Sequence, residues 1–246
     1  MRMTLAALLT TTLLAGSMSL SAADAPPKLQ VLLIAGDDVG AHPWREMSEA
    51  TREALVGSGK FDVRVCEDML ILESAAALKN YDLIFLTRFN TKGTLSDLGK
   101  ENLLNYVKNG KGFAISHLAS ASFKEWDEFK KLCGRNWVMG TSGHGPRSVF
   151  KAKIVNKSHA ITKGLDDFDA DDELYAKLQG NFPINVLIEA DSDWSKKTEP
   201  LAFTLEYGQG RVFHEAFGHD GKAILNPAVK KLIVQGCQWA ATGKVE

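Results

Sequence analysis

Apolar runs alternate with amphipathic stretches through the first half of the chain. Four apolar runs predict β-strands at residues 30–35, 61–66, 82–87 and 112–117. Between and after them, apolar residues at helical spacing predict helices at residues 44–56, 96–107 and 123–132. Strands that are covered on both faces and alternate with helices are typical of βαβ units. The pattern therefore predicts an α/β fold with a mainly parallel sheet.

The second half of the chain is less regular. Apolar and alternating segments predict strands at residues 150–155 and 184–189. A hairpin is expected at residues 201–217, with its turn at Tyr207-Gly208-Gln209-Gly210. A final helix is predicted at residues 227–241, with its apolar residues on one face. No repeat or linker divides this part, so we expect residues 26–246 to form a single domain.

The N-terminus has the pattern of a secretory signal peptide. Arg2 precedes an apolar run at residues 5–20, and small residues follow up to Ala23 and Ala25. This predicts a signal peptide at residues 1–23, with cleavage after Ala23 or after Ala25. No later segment has the roughly 20 apolar residues that a spanning helix needs. We therefore expect a soluble periplasmic or secreted protein that has no membrane contact after signal removal.

Charge and cysteine content narrow the function classes. The formal net charge is −1, and no basic stripe is present, which argues against a nucleic-acid partner. Cys66, Cys133 and Cys237 are an odd set without a CxxC pair, so at most one disulfide can form. We interpret these residues as small buried hydrophobic side chains.

The candidate chemistry lies in histidines and acidic residues near predicted strand ends. His117 ends the fourth strand, at the edge where open α/β sheets place reactive groups. His42, His144, His159 and His219 lie in other loops, and an acidic run at residues 166–173 leads to Leu174 and Tyr175. Imidazole and carboxylate groups bind borderline divalent metals and transfer protons near neutral pH.

Simpler interpretations remain open for these residues. A loop histidine can merely hydrogen-bond within its own loop, and we interpret the aspartates before Asp172 as a solvated loop. No HExxH motif is present, so a metal site would need ligands from distant segments. The turn at Ser116 lacks the G-x-S-x-G pattern, and residues 36–40 lack GxGxxG spacing. We therefore expect neither a serine nucleophile nor a nucleotide cofactor.

Together, these segments resemble the ThuA-like (trehalose utilisation) family. The matching stretches are LLIAGDDVGAHPWRE, KGFAISHLASASFKEWDEFKKLCG, GHGPRSVF, HAITKGLDDF, DDELY, EPLAFTLEYGQGRVFHEAFGHD and GCQWAATGK. Three positions depart from the family pattern: Gly36-Asp37-Asp38 stands where a second histidine is common, Ala160 where proline is common, and His214 where Tyr or Thr is common. His214 is therefore given no inherited role.

The resemblance implies a three-layer α/β/α sandwich that is flavodoxin-like, a variant of the class I glutamine amidotransferase fold. The turn that carries the nucleophilic cysteine in amidotransferases reads Ile115-Ser116-His117 here. The resemblance thus implies the scaffold without amidotransferase chemistry. It also implies carbohydrate metabolism through 3-keto glycosides, which a sugar 3-dehydrogenase in the same pathway would supply as a partner.

These arguments give each candidate residue an expected role. His117, Glu173 and His219 are the predicted catalytic residues. A divalent metal, zinc or similar, is expected on His117, His144 and His219. Predicted substrate-binding residues are His42, Trp44, His144, Tyr175 and Asp220. The expected reaction on the sugar is elimination, isomerisation or hydrolysis by acid/base or metal-assisted chemistry. The alternatives are a non-catalytic sugar-binding module and an accessory partner of the dehydrogenase.

Overall fold

The computed structural model describes residues 27–37, 39–90 and 95–246. The predicted signal peptide lies outside these residues. In the described part, nine strands form one sheet in the order β2-β1-β3-β4-β9-β8-β7-β5-β6. The strands are β1 (Leu29–Ile34), β2 (Phe61–Cys66), β3 (Leu83–Leu86), β4 (Gly112–Ser116), β5 (Ser148–Ile154), β6 (Phe168–Asp172), β7 (Asn185–Ser192), β8 (Lys197–Tyr207) and β9 (Gly210–Glu215).

The first four strands are parallel, as the apolar runs predict. β1 pairs with β2 on one side and with β3 on the other, and β3 pairs with β4. β9 then adds a fifth parallel strand beside β4, with Ser116 opposite Glu215. The carboxyl ends of β1, β3, β4 and β9 therefore meet at one edge of the sheet.

The expectation of a mainly parallel sheet was wrong, because the sheet is mixed. β8 and β9 form the predicted hairpin, and their short turn, with Gly208 at φ 64°, reverses the chain and makes them antiparallel. β7 and β5 continue the antiparallel pairing outward. The acidic run was interpreted as a loop, but its residues Phe168–Asp172 form the edge strand β6. Phe168, Ala170 and Asp172 alternate on its more buried face, a period-two pattern that the surrounding aspartates concealed.

Helices cover both faces of the sheet and give the three expected layers. Alternate residues of β1 divide between two cores: Val31 and Leu33 pack on one face, and Leu32 and Ile34 on the other. The helices are α1 (Trp44–Gly57), α2 (Ala75–Leu78), α3 (Asp97–Lys108), α4 (Asp127–Cys133), α5 (Gly221–Ile224) and α6 (Pro227–Thr242). α1, α5 and α6 supply the first core, and α2, α3 and α4 the second.

Helix boundaries follow local chemistry. The Ser96 side chain accepts a hydrogen bond from Gly99 N at 3.1 Å and begins α3, as predicted. The helix predicted at residues 123–132 is shorter in the structure, where it is α4. Phe123 has φ 51°, which is not a helical conformation, and it lies between the 3₁₀ helix His117–Ala121 and α4.

The three cysteines are free thiols. Cys133 and Cys237 are buried, whereas Cys66 is half-buried at the end of β2. Burial raises the pKa of Cys133 and Cys237, so these thiols are inert, as expected of small core side chains. Within residues 27–37, 39–90 and 95–246, no helix combines the length and apolar character of a membrane span.

Candidate metal centre

Four segments bring polar side chains to the carboxyl edge of the sheet. His42 follows β1 in a tight turn in which Val39 and His42 form a β-bridge. His117 follows β4 directly, and His219 lies in the loop between β9 and α5. Glu173 follows β6, on the antiparallel side of the sheet. The parallel edge thus supplies three imidazoles and the edge strand supplies one carboxylate.

His117 is the most constrained of these residues. Its φ of 48° lies in the left-handed region, which a β-carbon disfavours, and its side chain is 0% exposed. Such strain persists where the surrounding structure holds the residue. His117 Nδ1 lies 2.8 Å from the carbonyl oxygen of Ala216, which can only accept, so Nδ1 carries the proton. Nε2 then points into the cluster.

The ligand atoms of the four residues converge. His42 Nε2 lies 3.2 Å from His117 Nε2. Glu173 Oε2 lies 3.1 Å from His219 Nδ1, 3.6 Å from His117 Nε2 and 3.7 Å from His42 Nε2. One ligand atom from each residue lies within 4.8 Å of the other three. We refer to His42, His117, Glu173 and His219 as the four-ligand cluster.

The geometry of this cluster fits a divalent ion. Zinc–ligand bonds of about 2.0–2.1 Å in a tetrahedron separate the ligand atoms by roughly 3.3 Å, which lies among the four separations observed. Glu173 Oε2, His42 Nδ1 and His219 Nδ1 are buried without a hydrogen-bond partner in the described residues. Such atoms are costly to bury unless another group satisfies them, and an ion would satisfy two of these three.

His144 lies beside the cluster but is not one of the four. Its Nε2 is 3.5 Å from Glu173 Oε2, and its side chain is 31% exposed, against 11% for Glu173. Its Nδ1 lies 2.6 Å from the carbonyl oxygen of Gly145 and therefore carries the proton. The geometry thus groups His42, expected to bind substrate, with His117, Glu173 and His219, whereas His144, expected to bind both metal and substrate, lies at the more exposed side.

Charge is distributed so that the carboxylate is ionised and the phenol is neutral. Burial favours a raised pKa for Glu173, but interactions with the His117 and His42 imidazoles lower it well below its usual range. Burial, together with the charges of Glu173 and Asp172, raises the pKa of Tyr175 well above its usual value. Tyr175 therefore remains a hydrogen-bond donor, and its hydroxyl lies 3.5 Å from His42 Nε2.

An aromatic row leads outward from the cluster. The Tyr175 ring stacks on His117, with centroids 4.0 Å apart, and Trp137 packs against Tyr175 at 4.5 Å. Two antiparallel bridges, Gly143 with Ala176 and Asn136 with Gln179, join the segment that carries Trp137 and His144 to the segment after Tyr175. Trp137 was not among the residues expected from the sequence, since no local motif distinguishes it from a core tryptophan.

Two predicted substrate-binding residues have other contacts. Asp220 accepts a hydrogen bond from Ala223 N at 2.8 Å, which begins α5, and its other oxygen pairs with Arg147. Its carboxylate is therefore occupied by structural bonds. Trp44 begins α1, and the guanidinium carbon of Arg45 lies 4.3 Å from its ring centroid, so one face of this indole is covered. His159 caps a 3₁₀ turn through Ile161 N.

Comparison with known proteins places this fold. The family model for ThuA, described as trehalose utilisation, matches residues 30–240. The chain belongs to the ThuA family. A ThuA-like protein from Parabacteroides merdae is 28% identical, with a TM-score of 0.77 over 89% of this chain and 92% of that chain. A ThuA-like protein from Bacteroides uniformis is 18% identical, with a TM-score of 0.70 over 92% of this chain and 95% of that one.

A more distant likeness concerns the fold alone. A β-galactosidase from Bacillus circulans sp. alkalophilus superposes with a TM-score of 0.57 at 12% identity. The match covers 86% of this ThuA chain but 31% of the longer β-galactosidase. No curated protein matches the sequence. The description of the ThuA family, trehalose utilisation, supports a carbohydrate-related role for the chain.

Proposed function

We propose that this ThuA-family chain is an exported, metal-dependent enzyme that acts on 3-keto glycosides or related oxidised sugars. The reaction is an elimination, isomerisation or hydrolysis assisted by acid/base chemistry. The observation that carries the proposal is the convergence of His42, His117, His219 and Glu173 with unsatisfied buried ligand atoms. The family's link with carbohydrate utilisation supports the substrate class.

Zinc or a similar divalent ion would be held by the four-ligand cluster. When bound there, the ion would act as a Lewis acid towards a sugar carbonyl oxygen, which requires a coordination position beyond the four protein ligands. The rest of the chain supplies the orientation of the ligands. The carbonyl of Ala216 holds His117 in the tautomer whose Nε2 is free to bind, the kind of supporting hydrogen bond that metal-ligating histidines need.

Proton transfer falls to His144 in this arrangement. A ketone makes the hydrogen on the adjacent carbon acidic, so a base near that carbon can start elimination or isomerisation. His144 keeps its own proton on Nδ1 against Gly145, which leaves Nε2 able to accept one on the exposed side of the cluster. Glu173 was the base expected from the sequence, but its Oε2 lies within 3.7 Å of four imidazole nitrogens, those of His42, His117, His144 and His219.

The walls of the site suit a sugar ring. Tyr175 donates a hydrogen bond from a neutral phenol, and Trp137 continues the aromatic row towards the surface. Tyr175 is 1% exposed, so the half-buried Trp137 is the ring that would pack on the apolar face of a pyranose while polar neighbours bind hydroxyl groups. This wall also favours the second candidate, a non-catalytic sugar-binding module that would use the same cleft.

The test uses the mature chain, residues 26–246, loaded with zinc, manganese or cobalt and assayed on 3-keto glycosides. We expect ion-dependent exchange of the hydrogen next to the ketone into deuterated water, measured by NMR, together with product formation. His117→Ala should abolish both. His159→Asn, a loop-histidine control that keeps the capping acceptor, should retain both. Sugar binding without exchange or turnover would overturn the enzyme and favour the binding module; neither binding nor turnover would favour an accessory partner of a sugar dehydrogenase.

A further inference from the structure

Asp172 differs from a residue of a solvated acidic loop, because it is buried and hydrogen-bonded to the two segments that carry Glu173 and His219. It is the last residue of β6 and is 1% exposed. Its Oδ2 lies 2.6 Å from Gly218 N, and its Oδ1 accepts hydrogen bonds from His219 N at 3.1 Å and from Glu173 N at 2.8 Å. In the part of the chain that the structure describes, no cation pairs with this carboxylate.

The three N–H donors belong to the two segments that carry ligands of the cluster. Glu173 immediately follows Asp172, whereas Gly218 and His219 lie in the loop after β9, more than 40 residues further along the chain. One carboxylate therefore joins the end of the edge strand β6 to the loop after β9, the central strand of the nine-stranded sheet. Three backbone hydrogen bonds to one side chain limit the movement of both segments.

The same loop also orients His117. The carbonyl of Ala216, two residues before Gly218, accepts the hydrogen bond from His117 Nδ1. Gly218 adopts φ 105°, a conformation that the loop needs to turn its N–H towards Asp172. A shift of this loop would therefore displace His219 directly and release His117 from its tautomer.

We infer that Asp172 is a positioning residue that sets the separation and orientation of Glu173, His219 and, through Ala216, His117 for binding a divalent ion. This inference rests on the proposed metal site. It requires a carboxylate: an asparagine has one acceptor oxygen, and its NH₂ group would face a backbone N–H that it cannot bond. Asp172→Asn therefore removes at least one of the three hydrogen bonds and places the NH₂ donor of asparagine against a backbone N–H donor.

The other aspartates of β6 differ in the partners that they have. Asp171 pairs with Arg147 at 3.0 Å and Lys222 at 2.8 Å, and Asp169 pairs with Lys151 at 2.7 Å. The Asp169 side chain is 62% exposed, so Asp169→Asn makes the same chemical change on the same strand without reaching the site. Leu103→Ala, in the core on the opposite face of the sheet, provides a control for lost stability alone.

The test measures ion binding directly, on the mature chain, by competition for zinc with a chromophoric chelator. We expect Asp172→Asn to bind zinc about 10–100-fold more weakly than wild type, the usual effect of losing a group that orients a ligand. Asp169→Asn and Leu103→Ala should bind as wild type does. In the cobalt-loaded protein, the visible absorption bands should shift in Asp172→Asn and remain unchanged in both controls, since these bands report coordination geometry.

The outcomes separate this inference from the proposed function. Equal zinc affinity and an unchanged cobalt spectrum in a folded Asp172→Asn would overturn the positioning role while leaving the metal site intact. If wild type itself binds no ion, the proposed function fails, and the inference fails with it. Should Asp172→Asn not fold, Gly218→Ala serves as the second variant, because it disturbs the same hydrogen bond from the opposite side; unchanged binding there would also count against the inference.

Discussion

Two pairs, each of one histidine and one glutamate, lie near the sheet, and their surroundings differ. His117 and Glu173 belong to the four-ligand cluster, whereas His214 and Glu215 are consecutive residues near the end of β9. His214 lies opposite Ile115 and Glu215 opposite Ser116, so the second pair lies beside the strand that carries His117. Both residues of this second pair are fully buried.

The second pair is buried in neutral form. Burial lowers the pKa of His214 to about 4, with smaller effects from Cys133 and Arg135, and His214 Nδ1 donates to the carbonyl of Cys133 at 2.9 Å. Burial raises the pKa of Glu215 to about 8, although hydrogen bonds from Ser116 and the Phe217 N–H oppose the increase. These two groups therefore avoid the cost of a buried charge by titrating away from it.

The Glu173 carboxylate of the first pair keeps its charge because imidazole side chains face it. Interactions with His117 and His42 hold the Glu173 carboxylate ionised despite its burial. The comparison shows that burial of a histidine or a glutamate does not indicate a site. Convergence of unsatisfied ligand atoms from several segments is the distinguishing feature, and only the first pair has it among residues 27–37, 39–90 and 95–246.

The largest expected effect is the loss of a ligand from the first pair. We expect His117→Ala or Glu173→Gln to weaken zinc binding by at least about 100-fold, more than the loss of an orienting group does. His214→Phe should leave the affinity unchanged, because His214 contacts Cys133 and Phe203 instead. Isothermal titration with zinc measures all three. Equal losses in both pairs would end the distinction between them.

The next effect concerns Glu215 and pH. The folded pKa of about 8 exceeds the ordinary value of 4.5, so the native state binds a proton that the unfolded state has released between these values. This stabilising contribution is complete below pH 4.5 and is lost as pH rises to about 8. Glu215→Gln should remove the loss, which is on the order of a few kcal/mol.

Urea unfolding of the chelator-treated protein checks this expectation. Relative to wild type, Glu215→Gln should gain stability between pH 5 and pH 9, while Asp169→Asn should show no such trend. A constant difference across this range would mean that Glu215 does not titrate between the two states. The pair on β9 could then no longer be described as neutral.

A smaller effect is expected from the loop between β9 and α5, which carries Gly218 and His219. Gly218→Ala places a β-carbon at φ 105°, where the strain is about 1–3 kcal/mol, and at 3.2 Å from an Ile224 side-chain carbon. We expect a lower melting temperature and about tenfold weaker zinc binding, since the N–H groups of Gly218 and His219 hold the loop to Asp172. A lower melting temperature with full zinc affinity would show that the ligands tolerate movement of this loop.

The smallest effect should come from charges that belong to neither pair. Lys151 and Asp169 form an exposed salt bridge at 2.7 Å between β5 and β6. Exposed pairs contribute little to stability, so Lys151→Ala should change neither the melting temperature nor the zinc affinity beyond experimental error. A measurable loss of affinity would indicate that the whole charge pattern of the edge strands contributes to ion binding.

The parallel half of the fold was predictable because its strands are continuous apolar runs. Leu83–Leu86, for example, is buried throughout, and so short an apolar run favours a strand over a helix. β6 was missed because its aspartates dominate the composition, although Phe168, Ala170 and Asp172 alternate. The antiparallel direction of β5 and β7 depends on long-range pairing that no local pattern encodes.

The site was predictable in part for the same reason. His117 and His219 follow strands that the sequence predicts, so their place at the carboxyl edge of the sheet was visible, whereas Glu173 follows β6, which the sequence did not predict. The choice between His42 and His144 was not visible, because it depends on where two loops fold over the edge. Asp172 could have been suspected only once β6 was known to be a strand with this side chain turned inward.

The central claim is that His42, His117, Glu173 and His219 form one divalent-metal site. A crystal of residues 26–246 grown with zinc, measured on both sides of the zinc absorption edge, tests it most directly. We expect one anomalous peak about 2.0–2.2 Å from His42 Nε2, His117 Nε2, His219 Nδ1 and Glu173 Oε2. A peak on other residues, or no peak at this edge of an intact sheet, would contradict the account.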